Sequence, residues 1–299
     1  MEDDVTIRDD VTIRDGVTIR PAVPEDAAEL GRICYEAFAA IADAHRFPRD
    51  FPSPEVAAGL MSSMLGRSGF FGVVAESKGR LVGSNFLDER SAIAGVGPIT
   101  VDPAAQDGSV GRALMEAVLA RAEERQAPGV RLVQVAYHNR SFALYAKLGF
   151  AVREPLACLQ GRPPRLELPG YGVRPATEAD REACDALCRE LHGKDRSGEL
   201  ADAIAAGSAL AVERGGELRG YSTGLAFFAH SVARENEALE ALICSATELG
   251  GPGILVPARN AELLGFCLAH GLRVVQLMTL MTRGWYREPA GAYLCSIKY

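Results

Sequence analysis

The chain has 299 residues and a formal charge of −7 with histidine neutral, so it is long enough for two domains of ordinary size, each with its own core. The acidic balance argues against a nucleic-acid partner or an anionic membrane surface. Met1-Glu2-Asp3-Asp4 lacks the basic and apolar regions of a secretory signal and no apolar run is long enough to span a bilayer, so the cytoplasm is the expected compartment.

The N-terminus repeats one tetrapeptide at a strict period, as Val5-Thr6-Ile7-Arg8, Val11-Thr12-Ile13-Arg14 and Val17-Thr18-Ile19-Arg20. Each copy alternates apolar and polar residues as a half-buried strand does. The third leads into Pro21-Ala22-Val23-Pro24 and a helix, so it is taken as the first strand of the fold. Residues 1–16 then form a surplus tail, either disordered or an extra edge strand. The predicted order continues as helix 24–42, helix 54–66, strands 70–76, 80–88 and 95–102, helix 109–126, strand 130–136, helix 140–147 and strand 150–159. In the 109–126 helix Val110, Leu114, Val118 and Ala122 recur on one face of a 3.6-residue period. Between the first two helices, Phe47-Pro48-Arg49-Asp50-Phe51-Pro52-Ser53-Pro54 reads either as an apolar wall for a ligand or as a loop packed on the core.

A longer repeat sets the organisation. Ile19-Arg20-Pro21-Ala22-Val23-Pro24-Glu25-Asp26 returns as Val173-Arg174-Pro175-Ala176-Thr177-Glu178-Ala179-Asp180, and Ala75-Glu76 through Gly83 returns as Val212-Glu213 through Gly220. The chain is read as a tandem duplication: a first domain at 17–160, a Pro/Gly-rich linker at 161–170 and a second domain at 171–299. The seven cysteines are scattered. Cys184 and Cys188 lie one helical turn apart with no further His or Cys pair beside them, so they are read as small buried residues and no metal is expected.

Two segments carry chemistry. In the first, the strand-like Ile99-Thr100-Val101 runs through Asp102-Pro103-Ala104-Ala105 and Gln106-Asp107-Gly108-Ser109-Val110-Gly111-Arg112 into a helix. Backbone N–H groups at a helix start have no intrahelical partner and sit at the positive end of the dipole, so small residues there admit a pyrophosphate. In the second, Tyr137-His138-Asn139 ends a strand and is followed by Ala143-Leu144-Tyr145-Ala146-Lys147-Leu148-Gly149-Phe150. Together the two segments resemble the GNAT superfamily of acyl-CoA-dependent N-acetyltransferases. Gln106, Ser109 and Gly111 stand at the defined positions of the family loop Gln/Arg-x-x-Gly-x-Gly/Ala, with Ser109 a departure from it.

The resemblance implies a fold class of two tandem α/β domains, each a mixed, mostly antiparallel twisted sheet with helices on both faces and a splayed pair of parallel strands. It implies acetyl-CoA as cosubstrate, with the main chain of Ile99, Thr100 and Val101 against the pantetheine and Gln106 through Arg112 around the pyrophosphate. Asn139 would bind the cofactor arm or cap a helix. Acetyl transfer also needs a neutral amine, a stabilised oxyanion and a proton for the departing thiolate. Tyr145 is the candidate donor, its alternative role being that of an amphipathic core tyrosine. Asp88 and Glu89 at a strand end, and His138, are candidate bases that no spacing separates.

The second domain reads as degenerate. Ala229-His230-Ser231-Val232-Ala233-Arg234-Glu235-Asn236-Glu237 stands where the phosphate loop should be and offers carboxylates to a pyrophosphate. The tyrosine position falls on Phe266 or Cys267, depending on a one-residue gap. The expected activity is acetyl transfer to a small-molecule amine, and the chain is compatible with a homodimer. Alternatives are a non-catalytic acyl-CoA sensor or scaffold and a protein N-acetyltransferase.

Overall fold

The computed structural model describes residues 11–13, 16–106 and 109–298. The first Val-Thr-Ile-Arg copy, Asp107 and Gly108 lie outside the described residues. The chain divides into two compact units, one of residues 1–88 with 96–126 and the other of 89–95 with 127–299.

The first unit is an antiparallel meander. β1 (Val11–Ile13), β2 (Val17–Pro21), β3 (Phe70–Ser77) and β4 (Arg80–Asp88) follow one another in space. The second tetrapeptide copy is thus an edge strand, with Val11 opposite Ile19. The strand expected at 95–102 breaks in two, β5 (Ala94–Val96) and β6 (Thr100–Val101). Between them Pro98 has no N–H for a ladder and Gly97 takes a φ of 128°, a region that excludes most side chains. β6 pairs with β4, Thr100 opposite Ser84 and Val101 opposite Gly83.

α1 (Ala27–His45) and α2 (Pro54–Leu65) cover one face of this meander through Leu30, Cys34, Ala57, Met61, Met64, Val74 and Phe86. Phe51 joins that core edge-on to Phe38, so the Pro-rich loop packs inward. α3 (Val110–Glu124) lies against β3 and β4 on the other face, where a side chain at Gly83 would meet Leu114. The predicted stripe of Val110, Leu114, Val118 and Ala122 is buried along its whole length.

In the second unit β5 runs parallel to β7 (Gly129–Val135), Ala94 opposite Val130. α4 (Asn139–Lys147) and β8 (Ala151–Gln160) follow. A second meander then begins: β9 (Tyr171–Pro175), α5 (Arg181–His192), α6 (Ser197–Ala205), β10 (Leu210–Arg214), β11 (Glu217–Ser222) and β12 (Ser231–Ala233). It ends in α7 (Asn236–Ser245), β13 (Ile254–Pro257), α8 (Ala261–Ala269), β14 (Arg273–Gly284) and β15 (Ala292–Leu294). Cys184 and Cys188 are buried free thiols in the core that α5 shares with β10 and β11.

The late strands do not stay with their own repeat. β14 inserts between β7 and β8, Met281 opposite Leu132 on one side and Leu277 opposite Ala157 on the other. β8 in turn lies between β14 and β13. The other sheet of this unit runs β9-β10-β11-β12-β15, antiparallel throughout.

Candidate active site

In the first unit, β6 delivers the chain to the segment expected to hold the phosphate. The Asp102 carboxylate accepts from Ala104 N–H at 2.8 Å and the Gln106 amide donates to the Val101 carbonyl at 3.2 Å, which fixes the chain as it leaves the strand. Gln106 therefore orders the loop through its side chain. Ser109 is the N-cap of α3 but gives no side-chain cap, and no acidic residue stands in the first turn. The first N–H groups of α3 thus lack a side-chain cap, as do those of α1, α2, α5, α6 and α7, but unlike those five helices α3 has no carboxylate in its first turn. α4 shows the contrast, because its leading N–H groups are served by His138, whose Nδ1 accepts from Ser141 N–H at 3.1 Å. His138, a candidate base, is thereby occupied as a cap, while Asn139 is the first helical residue and is exposed.

β6 uses one edge against β4, and among the described residues no strand pairs with its other edge. Arg112 points to the surface and holds Glu116 at 3.0 Å. Asp88, the last residue of β4, is buried, whereas Glu89 is half-buried in the other unit.

Tyr145 is the one buried side chain of α4. Its ring stands edge-on to Phe150, and Phe150 N–H closes the helix by donating to the Tyr145 carbonyl at 3.0 Å. Burial pushes its hydroxyl pKa up, so the phenol keeps its proton throughout the neutral range.

The second repeat resolves the ambiguity left by its sequence. Cys267 is buried in α8, and Leu272 N–H donates to its carbonyl at 3.0 Å, as Phe150 does to Tyr145. Cys267 therefore holds the tyrosine position. Counting back from the two glycine stops, Gly149 at φ 86° and Gly271 at φ 92°, would have given the same answer. Ala233 opposes Gly220 as Val101 opposes Gly83, so β12 corresponds to β6. It is followed by only Arg234 and Glu235 before α7 begins. Arg219 holds Glu235 at 2.6 Å and the Tyr171 hydroxyl donates to it at 3.0 Å. The far edge of β12 is taken by β15, Val232 opposite Tyr293.

The acetyltransferase (GNAT) family matches residues 36–150. Over that segment the chain is similar to GNAT-family domains. Its fold indicates acyl transfer from an acyl-CoA. Solved structures extend the likeness to the rest of the chain. A candidate acetyltransferase from Pyrococcus horikoshii is 19% identical with a TM-score of 0.75, covering 97% of this chain and 96% of that one. A GCN5-related N-acetyltransferase from Sphaerobacter thermophilus is 16% identical with a TM-score of 0.64, covering 93% and 99%. A tandem GNAT protein from the clavulanic acid biosynthesis pathway is 16% identical with a TM-score of 0.56, covering 90% and 98%. At such identities the likeness is one of fold, that of tandem GNAT-like domains. No curated protein matches the chain. Among the described residues no helix is long and apolar enough to cross a membrane.

Proposed function

We propose that residues 17–160 act as an N-acetyltransferase domain taking acetyl-CoA and a small-molecule amine, with 161–170 a linker and 171–299 a supporting second domain without CoA chemistry. The observation that carries this reading is the start of α3, where Ser109, Val110, Gly111 and Arg112 present N–H groups without a side-chain cap and without a carboxylate in the first turn. Such a terminus suits a pyrophosphate. The open edge of β6 at Thr100 and Val101, with Ile99 before it, offers main-chain partners to the pantetheine amides.

Acetyl-CoA, when bound, supplies an activated acyl group. Tyr145 holds a proton on its hydroxyl and is suited to deliver it to the departing sulfur once negative charge has developed there. Asp88, which is buried, and Glu89, which is half-buried, are the candidate acceptors for the amine proton. A screen of amines by thiol release from acetyl-CoA tests the reading. Turnover with at least one small amine is expected, and CoA binding without turnover across the panel would leave a sensor or scaffold in its place.

A further inference from the structure

The segment that joins β4 to β5 groups with the second unit, together with the helices and strands of the second repeat. Its far end is fixed by β5, which runs parallel to β7 with Ala94 opposite Val130, and Ile93 and Ala94 are buried. Its near end is held by α6. The Arg90 guanidinium donates to the Asp202 carboxylate at 2.6 Å. Against the main chain lies Gly198, where a side-chain carbon would stand 2.7 Å from the Arg90 carbonyl oxygen and 2.8 Å from its Cβ. A glycine is what lets the two backbones come this close. Gly198 and Asp202 are four residues apart and share one face of the helix.

α6 is itself pinned to the sheet. Glu199 is buried and takes Arg196, His230 Nδ1 at 3.0 Å and the Thr223 hydroxyl at 3.0 Å, while His230 Nε2 lies 2.8 Å from the buried Tyr221 hydroxyl of β11. Leu200 and Ala203 pack into the core that α5 shares with β10 and β11. A buried polar network whose partners are in place holds one geometry. The helix is thus a firm mount for Arg90. Asp202 is exposed, and an ion pair with an exposed partner adds little to stability. The contact therefore bears on where the segment lies more than on whether the chain folds.

Glu89, a candidate acceptor for the amine proton, directly precedes Arg90. We propose that Gly198 and Asp202 are positioning residues for Glu89: by holding the main chain and the side chain of the next residue, they fix where its carboxylate lies. The second repeat thereby contributes to the chemistry of the first. The role given to Glu89 rests on the acetyl-transfer reading above, whereas the mount at Arg90 does not.

The test uses the full chain with Asp202→Ala, Asp202→Glu and Gly198→Ala. In Asp202→Ala and Gly198→Ala, amide hydrogen exchange over residues 89–93 should quicken by about 10-fold or more. With an amine that the wild type acetylates, kcat should fall by about 10-fold while KM for acetyl-CoA stays unchanged. Asp202→Glu, which keeps the charge, should restore both. In a Glu89→Gln background Asp202→Ala should cause no further loss, because it acts through a group already removed. Should Gly198→Ala not fold, Asp202→Ala decides, since its side chain is exposed. If the wild type acetylates no amine at all, quicker exchange in the variants still upholds the mount, and the acetyl-transfer reading fails alone. Unchanged exchange over residues 89–93, a kcat equal to that of the wild type, or an undiminished further loss in the Glu89→Gln background overturns the proposal.

Discussion

At Arg20 and again at Arg174 the chain builds the same clasp. Arg20 holds Asp26 at 2.8 Å and Glu76 at 2.9 Å, and Asp26 also accepts from Val23 N–H. Arg174 holds Asp180 at 2.8 Å and Glu213 at 3.0 Å, and Asp180 accepts from Thr177 N–H. The clasp ties the first strand to the start of the first helix and to the next strand. Both copies keep it because any copy of the fold must make that corner. Beyond the fourth strand they part. After β6 the chain leaves through Asp102–Gln106 and α3 opens with no carboxylate in its first turn, whereas after β12 it turns at once into α7, whose first turn carries Glu237, gives the Glu235 carboxylate to Arg219 and Tyr171, and lets β15 occupy the outer edge. The parts shared are those that make a sheet, and the parts lost are those proposed to hold a ligand.

The sharpest way to break this contrast is at the two equivalent helix positions. Tyr145→Phe keeps the ring against Phe150 and removes the proton, so turnover should fall by about 10²-fold with CoA binding unchanged. Cys267→Tyr, its mirror image, should create no second activity. Steady-state kinetics beside calorimetric CoA titration reads both, and full activity in Tyr145→Phe would assign the proton to water or to another group.

The loop gives the next effect. Gly111→Val puts a branched side chain into the first turn of α3 and should weaken CoA by about 10-fold or more, a change of roughly 1.4 kcal/mol. Titration of the wild type should give one CoA per chain, since β15 and the Arg219–Glu235 pair stand in the second copy's way. Two equivalent sites would erase the asymmetry.

Disruption of the clasps should affect the two copies alike. Asp26→Ala and Asp180→Ala each remove hydrogen bonds from an arginine and from a backbone N–H, and each should cost about 1–2 kcal/mol by denaturant titration. Burial alone would raise the Asp26 carboxyl, but the hydrogen bonds of Arg20 outweigh it and hold the group below the usual range. Arg174 holds Asp180 far below that range. Both pKa values are depressed on folding, so the stability they contribute is complete above about pH 4, the unfolded value, and is lost as pH falls through the folded values. A melting temperature that holds level below pH 4 would remove this account. The smallest effect belongs to the tail: deleting residues 1–15 removes, among the described residues, the three-residue edge strand β1, and the melting temperature should move by less than about 2 °C.

Much of this was legible in the chain itself. The tetrapeptide, the Arg-Pro turn and its return at Arg174 are local patterns, and the residues that fix them lie close in sequence. The α3 stripe and the helix starts are local too, so periodicity was enough to find them. Even the place of Cys267 was available by counting back from Gly271. What sequence alone did not decide is which strand edges meet. β14 carries the same apolar alternation whether it closes its own repeat or inserts between β7 and β8, and β15 is too short to announce that it will cover β12. Nor does a turn reading His192-Gly193-Lys194-Asp195-Arg196 betray that its bases face inward. On a sequence such residues look like solvated surface. Only the chain folding around Arg131 and Trp285 buries them, because burial belongs to the packed assembly and not to the residue type.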